Sequence, residues 1–428
     1  MTEPSKPRYA LVLSGGGARG AYEAGVVHYI RTRLPREIAH APLFHIYAGT
    51  SVGAINSAFL ASTAADPIFQ GARLRKLWRE LRAQDIYRAD VKALTGFLVK
   101  TGFFAATNFF GLNQVLEKHT GPGTAVFPFR SVLDTTPFMF YLRRNVAWAA
   151  IHRNIERGVI DAVTISATHM LSGHLALFVE KNPLLPYRPG GVPPTLTAIS
   201  PKHVLASAAL PLVFPIIRIN RQFYGDGSLR QNTPMSPAIH LGASRLLVVA
   251  GSKPPQARPS PGAHLAQYEQ EPTLGDILGR MLNNLFEDKL TYDLEQMRRI
   301  NALIEDAEQI CGTDALKLVN ERRRRQAPTA ADYADIQKVE TLVITPSEDI
   351  GVLASHHFRQ LARHRETLNP VHRFFAGVVE SSPDGSNDFL SYLLFEPQYL
   401  ESLLELGFED ARKAHDRLVA FFAERPAA

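Results

Sequence analysis

Short apolar runs that stop at glycines set the pattern of the first sixty residues. Tyr9-Ala10-Leu11-Val12-Leu13 is apolar at every position, so both of its faces are buried, as in a strand inside a parallel sheet. The run ends at Ser14 and three glycines. Tyr22, Val26, Tyr29 and Ile30 then recur at helical spacing. Phe44 to Ala48 predicts a second strand that meets Gly49, and Val52 to Leu60 predicts a helix rich in small residues. Strand, glycine turn and helix, twice over, predict an α/β domain with a parallel sheet.

Farther along the pattern changes. Ala162 to Thr168 and His174 to Val179, on either side of Leu171-Ser172-Gly173, predict a β-hairpin. Leu246 to Ala250 predicts another buried strand. Pro254, Pro255, Pro259, Pro261, Gly262 and Pro272 predict a linker over 251–272. Helical spacing follows from about Leu274 to Val319, then a strand at 341–345 around Leu342-Val343-Ile344. Helix is predicted after that, with Gly407 between two amphipathic stretches. The expected organisation is a core over 1–250 with an insertion at about 85–150, the linker, and a mostly helical region over 273–428. The late strand is expected to return to the same sheet. Asn232-Thr233-Pro234 and Ser236-Pro237 read as helix starts with proline at the first position.

Three glycine-containing signals carry chemistry. Ser14-Gly15-Gly16-Gly17-Ala18-Arg19-Gly20 follows the first strand and precedes a helix, so main-chain N–H groups and a helix dipole converge there. Such a loop holds an anion, either a phosphate or the oxyanion of an acyl-transfer intermediate. Gly49-Thr50-Ser51-Val52-Gly53 is a G-x-S-x-G between a strand and a helix, the context of a nucleophile elbow. Gly225-Asp226-Gly227-Ser228 is a tight turn that can aim a carboxylate at another loop. Each has a plainer reading. The glycine loop also matches a dinucleotide fingerprint, but the expected acid after the second strand is missing. Ser51 alone could cap the following helix, and Asp226 alone could be an ordinary turn aspartate.

Taken in this order, the three signals resemble those of the patatin-like phospholipase family of lipid acyl hydrolases. That family carries a G-G-G-x-R-G oxyanion loop, a G-x-S-x-G elbow and a D-G-[GA] acid motif. Gly15 to Gly20 and Gly49 to Gly53 match in full. Asp226-Gly227 matches, while Ser228 stands where the family usually has Gly or Ala. The segment from Ala206-Ser207 to Phe214-Pro215 is similar to the family's helix-and-proline stretch near the site. The resemblance implies a three-layer α/β sandwich with a mostly parallel central sheet and, here, a C-terminal helical extension. It implies Ser51 as nucleophile and Asp226 as general base without a histidine. Gly15, Gly16, Gly17 and Arg19 would form the oxyanion hole, with Gly20, Gly49, Gly53 and Gly227 supporting the motifs. Arg19 is expected to hold its loop in shape by pairing with a carboxylate rather than to touch substrate. The implied partner is a phospholipid or another acyl lipid, with no cofactor and no metal. A dinucleotide-binding protein using Gly15–Gly20, or a catalytically silent lipid-binding member, are the alternatives.

Composition narrows this further. The 428 residues are 45% hydrophobic and 21% charged, which excludes disorder over the whole length. Cys311 is the only cysteine, so no disulfide forms within the chain. With 47 Lys+Arg against 41 Asp+Glu, the net charge is +6, enough for attraction to anionic headgroups and no argument for nucleic acid. Arg322 to Arg325 reads as a solvated helix end. No signal peptide and no membrane-spanning run is visible, so a cytoplasmic location with peripheral membrane contact is expected. Nothing in the sequence assigns an oligomeric state. Fifteen histidines leave a Ser-His-Asp triad open by spacing alone, with His169, His174, His356 and His357 as members to consider. No His/Cys/Asp cluster has metal-binding spacing. Phe97, Phe103, Phe104, Phe109 and Phe110 are read either as a lid or acyl channel or as core filling.

Overall fold

Alternation along β1 (Tyr9–Leu13) sends its side chains into two separate cores. Tyr9, Leu11 and Leu13 join one apolar cluster, while Ala10 and Val12 join another on the opposite face. β2 (Ile46–Thr50) does the same, with Tyr47 on the first face and Ile46 and Ala48 on the second. A sheet buried on both faces is what continuous apolar strands require. In this computed structural model the described residues are 7–89, 133–188, 191–211, 213–252, 290–312, 314–326, 335–363 and 388–423. The phenylalanine-bearing segment 97–110 and residues 253–272 of the expected linker lie outside them.

The helices before the hairpin are α1 (Gly20–Arg33), α2 (Arg36–Ala39), α3 (Val52–Ser62), α4 (Pro67–Glu80), α5 (Ala83–Ile86), α6 (Thr136–Asn145) and α7 (Trp148–Glu156). β3 (Arg88–Ala89) and β4 (Leu133–Asp134) pair as a separate two-stranded antiparallel ladder. Next come β5 (Ala162–His169), β6 (Leu175–Lys181), β7 (Pro194–Leu196), α8 (Pro201–Ser207), β8 (Ile217–Ile219), β9 (Gln222–Asp226), α9 (Met235–His240) and β10 (Arg245–Val249). The C-terminal part supplies α10 (Leu290–Cys311), α11 (Ala315–Gln326), β11 (Glu340–Ile344), α12 (Ile350–Ala362), α13 (Asp388–Leu393), α14 (Pro397–Lys413) and α15 (His415–Ala423).

The main sheet runs β11-β10-β1-β2-β5-β6-β7, and the first five strands are parallel. β5 and β6 form the antiparallel hairpin. Helices cover both faces: α1, α3, α4, α12, α14 and α15 feed the first core, α9 and α10 the second. The protein is thus a mixed α/β fold around a mostly parallel central sheet. Among the described residues no helix is long and apolar enough to cross a membrane. Arg322 to Arg325 lie exposed at the end of α11.

Three local expectations are corrected. β2 begins at Ile46 rather than Phe44 and takes in Gly49 and Thr50, because its register is set by β1 and β5. Residues 232–237 make one helix start, not two, and Pro237 lies inside α9, where its missing N–H falls in the unbonded first turn. Gly407 does not divide two helices. It lies within α14, where a Cβ would stand 2.0 Å from the Tyr22 carbonyl oxygen of α1. Gly25 of α1 is equally close to the Leu404 carbonyl of α14, at 2.1 Å. The glycine is there because two helix backbones nearly touch.

Candidate active site

Register explains how residues 51 and 226, so far apart in sequence, come together. Along one edge of β5, β2 runs parallel until Thr50 stands opposite Ser166. The other edge of β5 is taken by β6 as far as Thr168. β9 therefore continues on the edge that β2 leaves, and Asp226 stands opposite Ala167. β2 and β9 approach end to end, so the residue after Thr50 faces the last residue of β9. The Ser51 hydroxyl donates to Asp226 Oδ2 at 2.8 Å.

Ser51 has φ 53° and ψ −119°, a left-handed backbone that costs a non-glycine residue roughly 1–3 kcal/mol. The turn is tight enough that a Cβ on Gly53 would stand 2.3 Å from the Leu13 carbonyl, and Gly49 faces Gly53 at similar range. Ser51 makes no side-chain cap bond to α3, so the capping reading fails. Its N–H donates to Ser207 Oγ at 2.8 Å, and Ser207 in turn donates to the Ser166 carbonyl at 2.5 Å. Ser207 thus fixes the elbow from α8. The sequence flagged its segment, not its role.

Asp226 is 1% exposed. Burial pushes its carboxyl up from 3.8 to about 6, partly offset by the Ser228 N–H, the Ser51 hydroxyl and the neighbouring Ser228 hydroxyl. Ser228 N meets Oδ1 at 2.8 Å, and Thr168 Oγ1 donates to the Asp226 carbonyl at 2.8 Å. Gly227 lies against the Ser166 carbonyl. The acid is therefore held on three sides.

The glycine loop divides into bonded and open parts. Gly15 N donates to the Asn232 carbonyl at 3.2 Å and Arg19 N to the Gly16 carbonyl at 3.1 Å. These two amides, expected in an oxyanion hole, are engaged within the protein. The amides of Gly16 and Gly17 make no such bond among the described residues. Gly17 has φ 55° and lies on the same pocket wall as Ser51 and Asp226. A Cβ there would meet the Tyr392 carbonyl at 2.1 Å. Gly20 lies against Val52 and Trp78.

Arg19 is buried and ties this loop to α13 and to the stretch after β10. It donates to Ser391 Oγ at 2.9 and 2.6 Å, to Ser252 Oγ at 2.8 Å and to the Gly251 carbonyl at 3.3 Å. Its guanidinium lies 4.1 Å from the centre of the Tyr392 ring. Hydroxyls, a carbonyl and an aromatic face are thus among its partners. Behind the loop, Asn56 donates to the Gly20 carbonyl and to Glu23, and accepts from the Trp78 indole. Burial holds Glu23 well above the usual carboxylate range.

The pocket at Ser51 is apolar apart from the Ser51–Asp226 pair and Gly17. Leu77, Trp78 and Leu81 of the α4 region, Phe138 and Tyr141 of α6, Phe214, and Tyr392, Leu393 and Phe395 line it. Among the described residues no histidine lines it. On the hairpin His169 is half-buried and His174 exposed, and His357 bonds Ser402, while the Ser51 hydroxyl bonds Asp226. Among the described residues no group of His, Cys, Asp and Glu gathers as metal ligands would. The C-terminal lining residues had no signal in the sequence.

Solved structures that this chain resembles include VipD from Legionella pneumophila, at 11% identity over 96% of this chain and 67% of that one, with TM-score 0.33. Another is the human GIVD cytosolic phospholipase A2 in complex with methyl gamma-linolenyl fluorophosphonate, at 11% identity over 97% of this chain and 59% of that one, with TM-score 0.38. Both likenesses are too distant to bear on chemistry. No curated protein matches significantly. The family model described as patatin-like phospholipase matches residues 11–239, just over half of the chain. That span runs from β1 into α9 and takes in the glycine loop, the elbow and the acid turn. The chain belongs to the patatin-like phospholipase family, whose members are lipid acyl hydrolases.

Proposed function

We propose that this protein hydrolyses acyl esters of phospholipids or related lipids through an acyl-Ser51 intermediate. The observation that carries this reading is the 2.8 Å bond from Ser51 to Asp226 on the wall of an apolar pocket. Ser51 Oγ attacks the ester carbonyl and its proton passes to Asp226, then to the leaving oxygen. An ordinary aspartate is a weak base toward a hydroxyl. Burial makes this one more basic, up to about 6. Water then attacks the acyl carbon, gives a proton to Asp226, and Ser51 leaves with it. The amides of Gly16 and Gly17 serve the developing oxyanion, each worth about 3–4 kcal/mol in the transition state. Gly15 and Arg19 support the loop instead. The apolar pocket takes the acyl chain, and the protein meets its substrate by peripheral contact with a bilayer or micelle.

A fluorophosphonate probe should label wild type at Ser51 and leave Ser51→Ala unlabelled. A panel of lipid esters should be hydrolysed by wild type and not by Ser51→Ala or Asp226→Asn. Hydrolysis that survives Ser51→Ala sinks the reading. A folded wild type inert toward every ester and unlabelled by the probe points to a silent lipid-binding member. The proposed steps call on no metal, so activity is expected to persist in EDTA.

A further inference from the structure

Ser228 is 6% exposed, and its hydroxyl makes no well-formed hydrogen bond among the described residues. Buried hydroxyls without partners are uncommon and ask for an explanation. Its main-chain N–H is already committed to Asp226 Oδ1. The hydroxyl oxygen sits in the corner where the acid turn meets the glycine loop. A Cβ on Gly15 would lie 2.2 Å from it and 3.3 Å from Ser51 Cβ. It stands near enough to the Asp226 carboxyl to help lower its pKa, yet short of a well-formed hydrogen bond in this state.

The partner of Asp226 Oδ2 is the Ser51 hydroxyl. Once Ser51 is acylated its oxygen is an ester oxygen and has no proton to donate. Asp226 then loses a donor at the moment it must accept a proton from water. We propose that Ser228 is a positioning residue for deacylation, its hydroxyl turning to donate to Asp226 while Ser51 carries the acyl group. This inference rests on the acyl-Ser51 reading. In the step it supports, the water oxygen bonds to the acyl carbon and the water proton moves to Asp226. The acyl carbon–Oγ bond breaks and the proton ends on Ser51. Ser228 keeps its own proton throughout and exchanges nothing. Glycine or alanine at this third position of the turn has no hydroxyl to offer.

The test uses the full chain, p-nitrophenyl butyrate in stopped flow, and the variants Ser228→Ala and Ser228→Gly. The burst reads acylation and the steady state reads deacylation. Both variants should slow the steady state about tenfold and move its acid limb up by about one pH unit, as expected for losing one donor to a carboxylate. The burst rate should change by less than about threefold. A burst absent from both variants, or a steady state and acid limb equal to wild type, overturns the inference. So does an equal loss in burst and steady state, or a defect in the glycine variant alone, since both mark packing. Ester hydrolysis that survives Ser51→Ala would instead fail the acyl-Ser51 reading itself.

Discussion

Asp226→Asn keeps the size of the side chain and removes the charge that burial disfavours. An asparagine oxygen in place of Oδ1 still accepts from Ser228 N, and its amide still meets Ser51 Oγ, so the bonds are largely kept. What changes is the carboxylate itself, raised from 3.8 to about 6 in a group 1% exposed. At ~1.36 kcal/mol per pKa unit, holding it ionised in the fold costs about 3 kcal/mol. The sign follows from linkage. Between pH 3.8 and 6 the folded state keeps a proton that the unfolded chain has lost, so wild-type stability falls as pH rises through this window and levels off above it. Asp226→Asn escapes that fall. Its advantage should be near zero at pH 4 and about 3 kcal/mol at pH 8. At roughly 2.1 cal/mol/K of unfolding entropy per residue, a chain of this length gains about 3 °C in Tm. Differential scanning calorimetry of both proteins from pH 4 to 8 measures the gap, while ester hydrolysis is lost in the variant. A variant less stable than wild type at pH 8, or a gap that does not grow with pH, refutes the assignment of Asp226 as a desolvated base.

Further outcomes follow from the same geometry. The kcat/KM of wild type should climb with pH through about 6, as Asp226 ionises, and a profile flat from pH 5 to 8 would argue against Asp226 as base. Arg19→Lys keeps the charge but loses the fork that reaches Ser391 and Ser252. It should lower kcat about tenfold or more with little change in KM, because the loop carries the proposed oxyanion donors. Gly407→Ala should lower stability by about 3 kcal/mol in urea melts with the active-site pH profile unchanged, since its Cβ would meet main chain of α1 rather than a side chain that can yield.

The sequence made the sheet legible where strands are buried on both faces. β1 and β10 read as apolar runs bounded by turns, and β5 and β6 as an alternating stretch and its partner on either side of a glycine turn. The Gly-x-Ser-x-Gly turn was legible too, because contact with Leu13 and within the turn allows only glycine at 53 and 49. The division of labour among the loop amides was not. It depends on the Asn232 carbonyl, which a tertiary turn brings to Gly15. Nor was the anchor of Arg19, because Ser391 lies 372 residues away and carries no local pattern. Gly407 misled for a related reason. Glycine inside a helix and glycine between helices look alike until the neighbouring helix is placed.

The closure of the pocket by α13 and its neighbours has a consequence for how the protein is made. Tyr392, Leu393 and Phe395 complete the wall beside Ser51, and the Phe421 carbonyl accepts from Tyr9 of the first strand and from Arg245. A nascent chain still held at the ribosome just past β10 has made serine, aspartate and glycine loop, yet it lacks both the ceiling of its greasy cleft and the anchor for Arg19. The wall of the cleft and the anchor of its glycine loop are supplied only once residues 391–395 have been added and folded back onto the first strand's end of the sheet.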